Sequence, residues 1–161
     1  MPDRMPPVHR TEVTPERVNE LGHMRAAEYV ELFDDAVMAL LTSAGLTDAS
    51  LRHGATSPVL TELHATYAKE IGAGASIAIA AHVLGLDERR VHVVLVMREE
   101  ATQAPVATCE LAIVNISLES RAPVAWSREQ AAIWSRLAAA CAGLPRPPQV
   151  GRAIRPLSAP T

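Results

Sequence analysis

The sequence predicts an α+β domain in which an antiparallel sheet wraps around one long central helix. Two observations carry that expectation. Ala26, Tyr29, Val30, Phe33, Val37, Leu40, Leu41 and Ala44 recur at helical three- and four-residue spacing, and Gly45 closes the run. Beyond the helix the chain shows strand-like apolar runs over residues 59–71, 76–86, 90–99 and 106–118, with one earlier strand at 8–13. Loop-separated strands around a single helix favour an antiparallel sheet covering that helix.

The remaining elements follow in order. Residues 1–7 carry three prolines and read as a flexible arm ahead of a single domain over 8–143. A polar connection over 47–57 leads from the helix into the first long strand. Gly72-Ala73-Gly74 is a strand connection, and 86–89 and 100–103 are hairpin turns between apolar runs. The chain leaves the sheet near Pro123. Ser127, followed three residues later by Gln130, has the form of a capping box and starts a second helix reaching about Ala142. On it Trp134, Leu137, Ala138 and Cys141 are placed to face the sheet edge or a partner subunit. Residues 144–161, rich in proline and carrying Arg146, Arg152 and Arg155, read as an extended or disordered tail.

Composition narrows the function classes. A chain of 161 residues is one domain with room for a core, and 48% hydrophobic content is that of a globular protein. Aromatics make up only 3%, so the core must be built from Val, Ile, Leu and Ala. A net charge of −3 gives no electrostatic footprint for nucleic acid or an anionic membrane. No apolar run reaches the length of a signal peptide core or a membrane span, so a cytoplasmic location is expected. Cys109 and Cys141 form no disulfide framework or metal spacing and read as small buried apolar residues. His9, His53, His82 and His92 show no tight pairing, so no metal site is expected. No GxSxG elbow, Walker loop or dinucleotide fingerprint is present.

The chemistry-bearing segment is Asn19-Glu20-Leu21-Gly22-His23-Met24, immediately before the long helix. A helix N-terminus presents unpaired N–H groups and a positive dipole end, suited to an acyl oxygen or a phosphate. His23 titrates near neutrality and is the candidate acid–base or positioning group. Asn19 can hold a carbonyl or a water but is no base, and in the plainer reading it only caps a turn. Glu62 and His64, two apart on one strand, share a face with Thr66, while Leu63, Ala65 and Tyr67 face the other way toward the helix. They are either candidate bases or a solvated sheet face. Glu31 lies with Glu28, Asp34 and Asp35 on the polar side of the helix.

With these residues in hand, the chain resembles the hotdog-fold acyl-CoA thioesterases of the 4-hydroxybenzoyl-CoA thioesterase type. The resemblance rests on the Gly22-His23 opening with Tyr29 and Phe33 in the helix behind it. It continues through Thr61-Glu62-Leu63-His64-Ala65-Thr66-Tyr67, Gly85-Leu86-Asp87-Glu88-Arg89-Arg90-Val91-His92 and Ala107-Thr108-Cys109-Glu110. It is most similar to the betainyl-CoA thioesterase branch associated with carnitine breakdown, over about residues 12–126. Asn19 stands where that family usually has its catalytic aspartate. The resemblance implies a hotdog fold and hydrolysis of an acyl-CoA thioester to free acid and coenzyme A, with no cofactor beyond the coenzyme A of the substrate. It implies a homodimer or dimer of dimers, joined by sheet edges with active sites at the joint.

In that reading the N–H near Ala26 is the oxyanion donor, and Asn19 and His23 orient carbonyl and water. Glu62 or His64 of the neighbouring subunit serves as base. Gly22, Tyr29 and Tyr67 line the substrate, and Arg89 and Arg90 reach the coenzyme A phosphates. The alternative is a hotdog protein that binds acyl-CoA without turnover, having lost its aspartate. A hotdog dehydratase fits less well, since no Asp-His hydration signature is evident. With Trp126, Trp134, Tyr29, Tyr67 and Phe33 as the whole aromatic complement, a cage for a quaternary ammonium group is hard to assemble.

Overall fold

The computed structural model describes residues 5–46 and 54–152. Strand β1 (Pro7–Glu12) leads through a 3-10 turn (Pro15–Arg17) into helix α1 (Ala26–Ser43). Strands β2 (Thr56–Tyr67), β3 (Ser76–Leu86), β4 (Arg90–Glu99) and β5 (Pro105–Ser117) follow, then helix α2 (Arg128–Cys141). All pairings are antiparallel, in the order β1-β3-β4-β5-β2. Helix α1 therefore joins the two strands at opposite edges and must cross the sheet. Its 18 residues span about 27 Å at about 1.5 Å each, enough to cover four strand spacings of about 4.8 Å.

Alternate residues of the strands face α1, and the middle of β4 and β5 is buried on both faces. Ile77, Ile79, Ala81 and Val83 of β3, Val91, Val93, Leu95 and Met97 of β4, and Cys109, Leu111 and Ile113 of β5 join α1 in one core. From the helix come Tyr29, Phe33, Val37 and Leu40, as the helical period requires, together with Leu32, Ala36 and Leu41. Phe33 is fully buried. The opposite face of the sheet carries Ala78, Ala80, His82, His92, Val94, Val96, Thr108 and Glu110.

Two expectations are corrected. The run 59–71 is shifted: β2 starts at Thr56 and ends at Tyr67. Ala68 and Lys69 both donate to the Val106 carbonyl, and the chain then turns so that the Ile71 carbonyl accepts from Met24 N. Pro58 thus falls inside β2, where it is tolerated because an edge strand is paired on one side only.

Helix α2 begins at the expected capping box, Ser127 Oγ accepting from Gln130 N at 3.1 Å and Gln130 Oε1 from Ser127 N at 3.1 Å. Its apolar face turns to the chain's own core: Trp134 is fully buried, 5.8 Å from the Trp126 ring, and Ile133, Leu137 and Ala138 join the same cluster. Trp134 is therefore not available to a partner subunit.

The first part of the tail lies among the described residues. Residues 145–147 have no regular structure, and 147–152 form two overlapping turns, Val150 N donating to Pro147 O and Arg152 N to Gln149 O. Gly151 N donates to Glu110 Oε2 at 2.8 Å, which anchors the segment on the sheet face away from α1. Proline-rich composition removes regular structure without preventing docking on a surface. The expected polar connection at 47–53, including His53, lies outside the described residues, as do 1–4 of the arm and 153–161 of the tail, including Arg155.

Candidate active site

The segment between the 3-10 turn and α1 is closed by backbone bonds. Val18 pairs with Met24, Arg25 N donates to Arg17 O at 3.0 Å, and Met24 N donates to Ile71 O at 2.8 Å. Arg17 fixes the loop against α1 through Glu28 at 2.7 Å and Glu31 at 3.1 Å. Glu31 is thus part of a surface ion-pair network, as its place on the polar helix side implies, and Asp34 and Asp35 are exposed.

Asn19 organises the turn. Its Oδ1 accepts from Leu21 N at 3.0 Å and His23 N at 3.1 Å, its own N–H donates to His23 O, and its carbonyl accepts from Gly22 N. Two backbone donors on one atom fix that atom as the oxygen, which leaves the Asn19 NH2 as the group available to a ligand. Gly22 closes the turn at φ +79°, a left-handed conformation that favours glycine.

Arg25 occupies the N-cap position of α1 and makes no side-chain capping bond. The helix therefore starts without a side-chain acceptor on its leading N–H groups, beginning with Ala26. In front of it lies a cavity of about 400 Å³ lined by Asn19, His23, Ala26, Tyr29, Tyr67 and Glu70, among others. His23 Nε2 stands 3.3 Å from Glu70 Oε2. The Tyr29 and Tyr67 rings meet edge to face, centroids 5.1 Å apart, and the Tyr67 hydroxyl donates to Ala26 O at 3.4 Å. Burial holds the Tyr29 phenol above its ordinary range; the Ile71 backbone opposes this, and the Glu70 and Tyr67 charges add to it.

Asn19, Gly22, His23, Ala26, Tyr29 and Tyr67 are thus brought together, with Gly22 in the turn itself. Glu62, His64, Arg89 and Arg90 are not. Tyr67 touches α1, so Glu62 and His64, of opposite parity on the same strand, point away from it. They line a cavity of about 640 Å³ on the outer sheet face, where His92 Nε2 and Glu110 Oε1 are 2.7 Å apart. Within this chain neither residue borders the N-terminus of α1. The larger cavity borders no helix N-terminus, whereas the smaller one includes Ala26 at the start of α1.

Arg90 is tied to Asp87 at 2.7 Å at the β3–β4 turn, and Arg89 lies beside it, in cavities that exclude the Asn19 loop. Burial pushes the Cys109 thiol up to about 12 and raises that of Cys141, so both stay protonated at neutral pH. Among the described residues no group of His, Cys, Asp and Glu is spaced to hold a metal ion.

Glu70 was not among the residues singled out from the sequence. Its only signal was a charged pair, Lys69-Glu70, just before the Gly72-Ala73-Gly74 connection. Lys69 is taken by Glu99 at 2.6 Å.

An antiparallel sheet wrapped on a crossing helix, with a polar cavity at that helix's N-terminus, defines a hotdog-fold protein. The chain belongs to the thioesterase-like superfamily, which its residues 13–134 match. It is 30% identical to a betainyl-CoA thioesterase of Pseudomonas aeruginosa, over 91% of this chain and 92% of that protein. A putative thioesterase from Pseudomonas putida KT2440 superposes with a TM-score of 0.82 at 28% identity, covering 96% of this chain and 99% of that one. A Staphylococcus aureus protein solved in complex with CoA shares the fold, with a TM-score of 0.87 at 23% identity over 92% of this chain and 94% of its own.

Proposed function

We infer that this chain hydrolyses acyl-CoA thioesters at the cavity in front of α1. The observation that carries the site assignment is the helix N-terminus without a side-chain cap, bordered by Asn19 and the His23–Glu70 pair. The thioester carbonyl would lie against the Ala26 N–H and the helix dipole, which stabilise negative charge as it develops on oxygen. The Asn19 NH2 would orient carbonyl or water, and His23, steadied by Glu70, would take the water proton as the C–O bond forms. Collapse of the tetrahedral intermediate breaks the C–S bond, the thiolate leaves, and the acid and coenzyme A result. Thiolate is a good leaving group, so the step requires no metal activation.

The finer substrate reading is a short acyl group carrying positive charge. The half-exposed Tyr67 ring, Tyr29 edge-on to it and the Glu70 carboxylate line the same cavity, so an aromatic surface and a negative charge converge there. Phe33, Trp126 and Trp134 are buried elsewhere in the core, so the aromatic contribution is two rings and no full cage. The similarity to a betainyl-CoA thioesterase supports this reading.

Thiol release from betainyl-CoA and from its uncharged carbon isostere, 3,3-dimethylbutyryl-CoA, tests both levels. Faster turnover of the cation is expected. Equal turnover of both would leave hydrolysis standing and overturn the cationic substrate; binding of both with no thiol released would favour the non-hydrolytic acyl-CoA-binding alternative.

Assembly belongs to the same proposal. β2 is an edge strand with Leu60 and Leu63 exposed, and it ends at Tyr67 on the cavity rim. Pairing of two such edges would bury these side chains and place both cavities at the joint. Light scattering should show at least twice the chain mass of 17.2 kDa; a monomer would contradict it.

A further inference from the structure

The open edge of β2 carries a charge pattern that complements itself. Beyond the bulge between Leu60 and Glu62, Glu62 lies opposite Ala112 and His64 opposite Glu110, so both side chains stand on the outer sheet face, two positions apart. Among the described residues Glu62 has no hydrogen bond or ion pair. Both Glu110 oxygens are engaged, by His92 and by the Gly151 N–H, so Glu110 does not serve His64. His64 Nδ1 is buried without a partner, which leaves Nε2 as the nitrogen open to one.

Ala68 N donates to Val106 O on β5, and Asn115 N of β5 donates to Arg89 O on the other side. By the alternation of an antiparallel ladder, Glu62, His64 and Thr66 therefore bond to β5, and Leu63 and Ala65 turn their N–H and C=O groups to the open edge. A second copy added antiparallel, about a two-fold axis normal to the sheet, keeps both outer faces on one side, and its contacts are reciprocal. A centre at Glu62 sets that carboxylate against its own copy, a like-charge contact. A centre at His64 sets His64 against itself and Glu62 against Thr66, and a centre at Ala65 sets His64 against Thr66. Only a centre at Leu63 sets Glu62 opposite His64 twice, with the exposed Leu63 side chains meeting on the other face.

We propose that two copies of this chain pair through β2 in the register centred on Leu63, held there by two reciprocal Glu62–His64 contacts. This rests on the edge-to-edge assembly above and adds its register. The two Leu63 residues exchange both backbone bonds, and the flanking 62–64 pairs fall at non-hydrogen-bonded positions, where Cα atoms approach to about 4.5 Å and side chains are closest. An imidazole N–H donates to the carboxylate in either protonation state of the ring. The same register brings residues 58–60 of the second copy beside Tyr67, on the rim of the Asn19 cavity, so the pairing decides which segment of the second copy closes that cavity.

The test is disulfide trapping in the full-length chain, with light scattering alongside. Native Cys109 and Cys141 are buried and stay protonated, so they do not compete. Under oxidised glutathione, Leu63→Cys should form a covalent dimer, because a hydrogen-bonded pair holds its Cα atoms about 5.5 Å apart, within disulfide reach. Glu62→Cys and His64→Cys should each stay uncrosslinked alone and crosslink to each other once mixed and allowed to exchange subunits. Self-crosslinking of Glu62→Cys, His64→Cys or Ala65→Cys in place of Leu63→Cys would overturn the register, and so would no crosslink in the mixture. In the cysteine-unaltered chain, His64→Glu should raise the dimer Kd roughly tenfold, as two like-charge pairs imply, and Glu62→His combined with His64→Glu should restore it. Equal weakening in the single and the swapped variant would overturn the charge pairing. A wild-type monomer by light scattering would overturn the assembly and this proposal with it, whereas a dimer that crosslinks at another position overturns the register alone.

Discussion

Replacing Asn19 by aspartate changes one atom of the proposed site and leaves its scaffold intact. Oδ1 already accepts from Leu21 N at 3.0 Å and His23 N at 3.1 Å, and a carboxylate oxygen would keep both bonds in charge-assisted form. The NH2 group would become a second carboxylate oxygen bordering the cavity that Asn19 lines. A well-placed general base contributes about 10²–10⁴-fold. With His23 already beside the cavity, the gain from a second base should be smaller, about 10–100-fold in kcat, or roughly 1.4–2.7 kcal/mol off the barrier. The assay is thiol release under saturating acyl-CoA, with Tm measured alongside to show that the turn persists. His23→Ala should lower turnover in both backgrounds. Loss of activity in Asn19→Asp at unchanged Tm would refute the reasoning, because the amide would then be required as a donor to the carbonyl.

The fold and its charges give two further expectations. Phe33→Ala should cost about 3–5 kcal/mol in urea unfolding, as for a fully buried aromatic; a loss below roughly 1 kcal/mol would show that α1 does not press this side chain into the sheet. Stability should also fall in two stages on acidification. His82 is held below its ordinary 6.5, so below that pH the unfolded chain takes up a proton that the folded chain resists, and stability declines. His82→Gln should flatten this first slope. Glu28, Glu99 and Asp87 are held below their ordinary 4.5, 4.5 and 3.8 chiefly by Arg25, by Lys69 and by the Arg89 N–H. Their contribution is present above those values and lost as pH falls through the lowered ones. Urea midpoints across pH 3–8 that show no decline below about 6.5 would contradict the His82 assignment.

The sheet and helix were legible because their apolar periods differ and rarely mix in this chain. β3 and β4 begin and end where their apolar runs do, since the Asp87–Arg89 turn interrupts the pattern sharply. The end of β2 was not legible: Ala68-Lys69-Glu70-Ile71 continues an alternating pattern, and only the bonds to Val106 and Met24 show that the chain has turned. Glu70 was missed for the same reason, because its approach to His23 depends on that turn. For Glu62 and His64, the parity that set Tyr67 against the helix had already turned them outward. The two-residue spacing identified a shared face without making that face catalytic. Composition described the tail as lacking regular structure, but could not show that Gly151 would find Glu110.

The most direct test of the helix-terminus site is Ala26→Pro. Position 26 is the first residue of α1, and Arg25 before it sits at φ −67°, ψ 145°, a conformation that a following proline favours. The substitution deletes one N–H and leaves the helix its start. Steady-state hydrolysis of the best acyl-CoA substrate should lose about 10²–10³ in kcat, as for removal of an oxyanion donor, while Tm and the circular dichroism spectrum stay unchanged. Full activity in a folded Ala26→Pro chain would contradict the account, because the carbonyl oxygen would then be stabilised elsewhere.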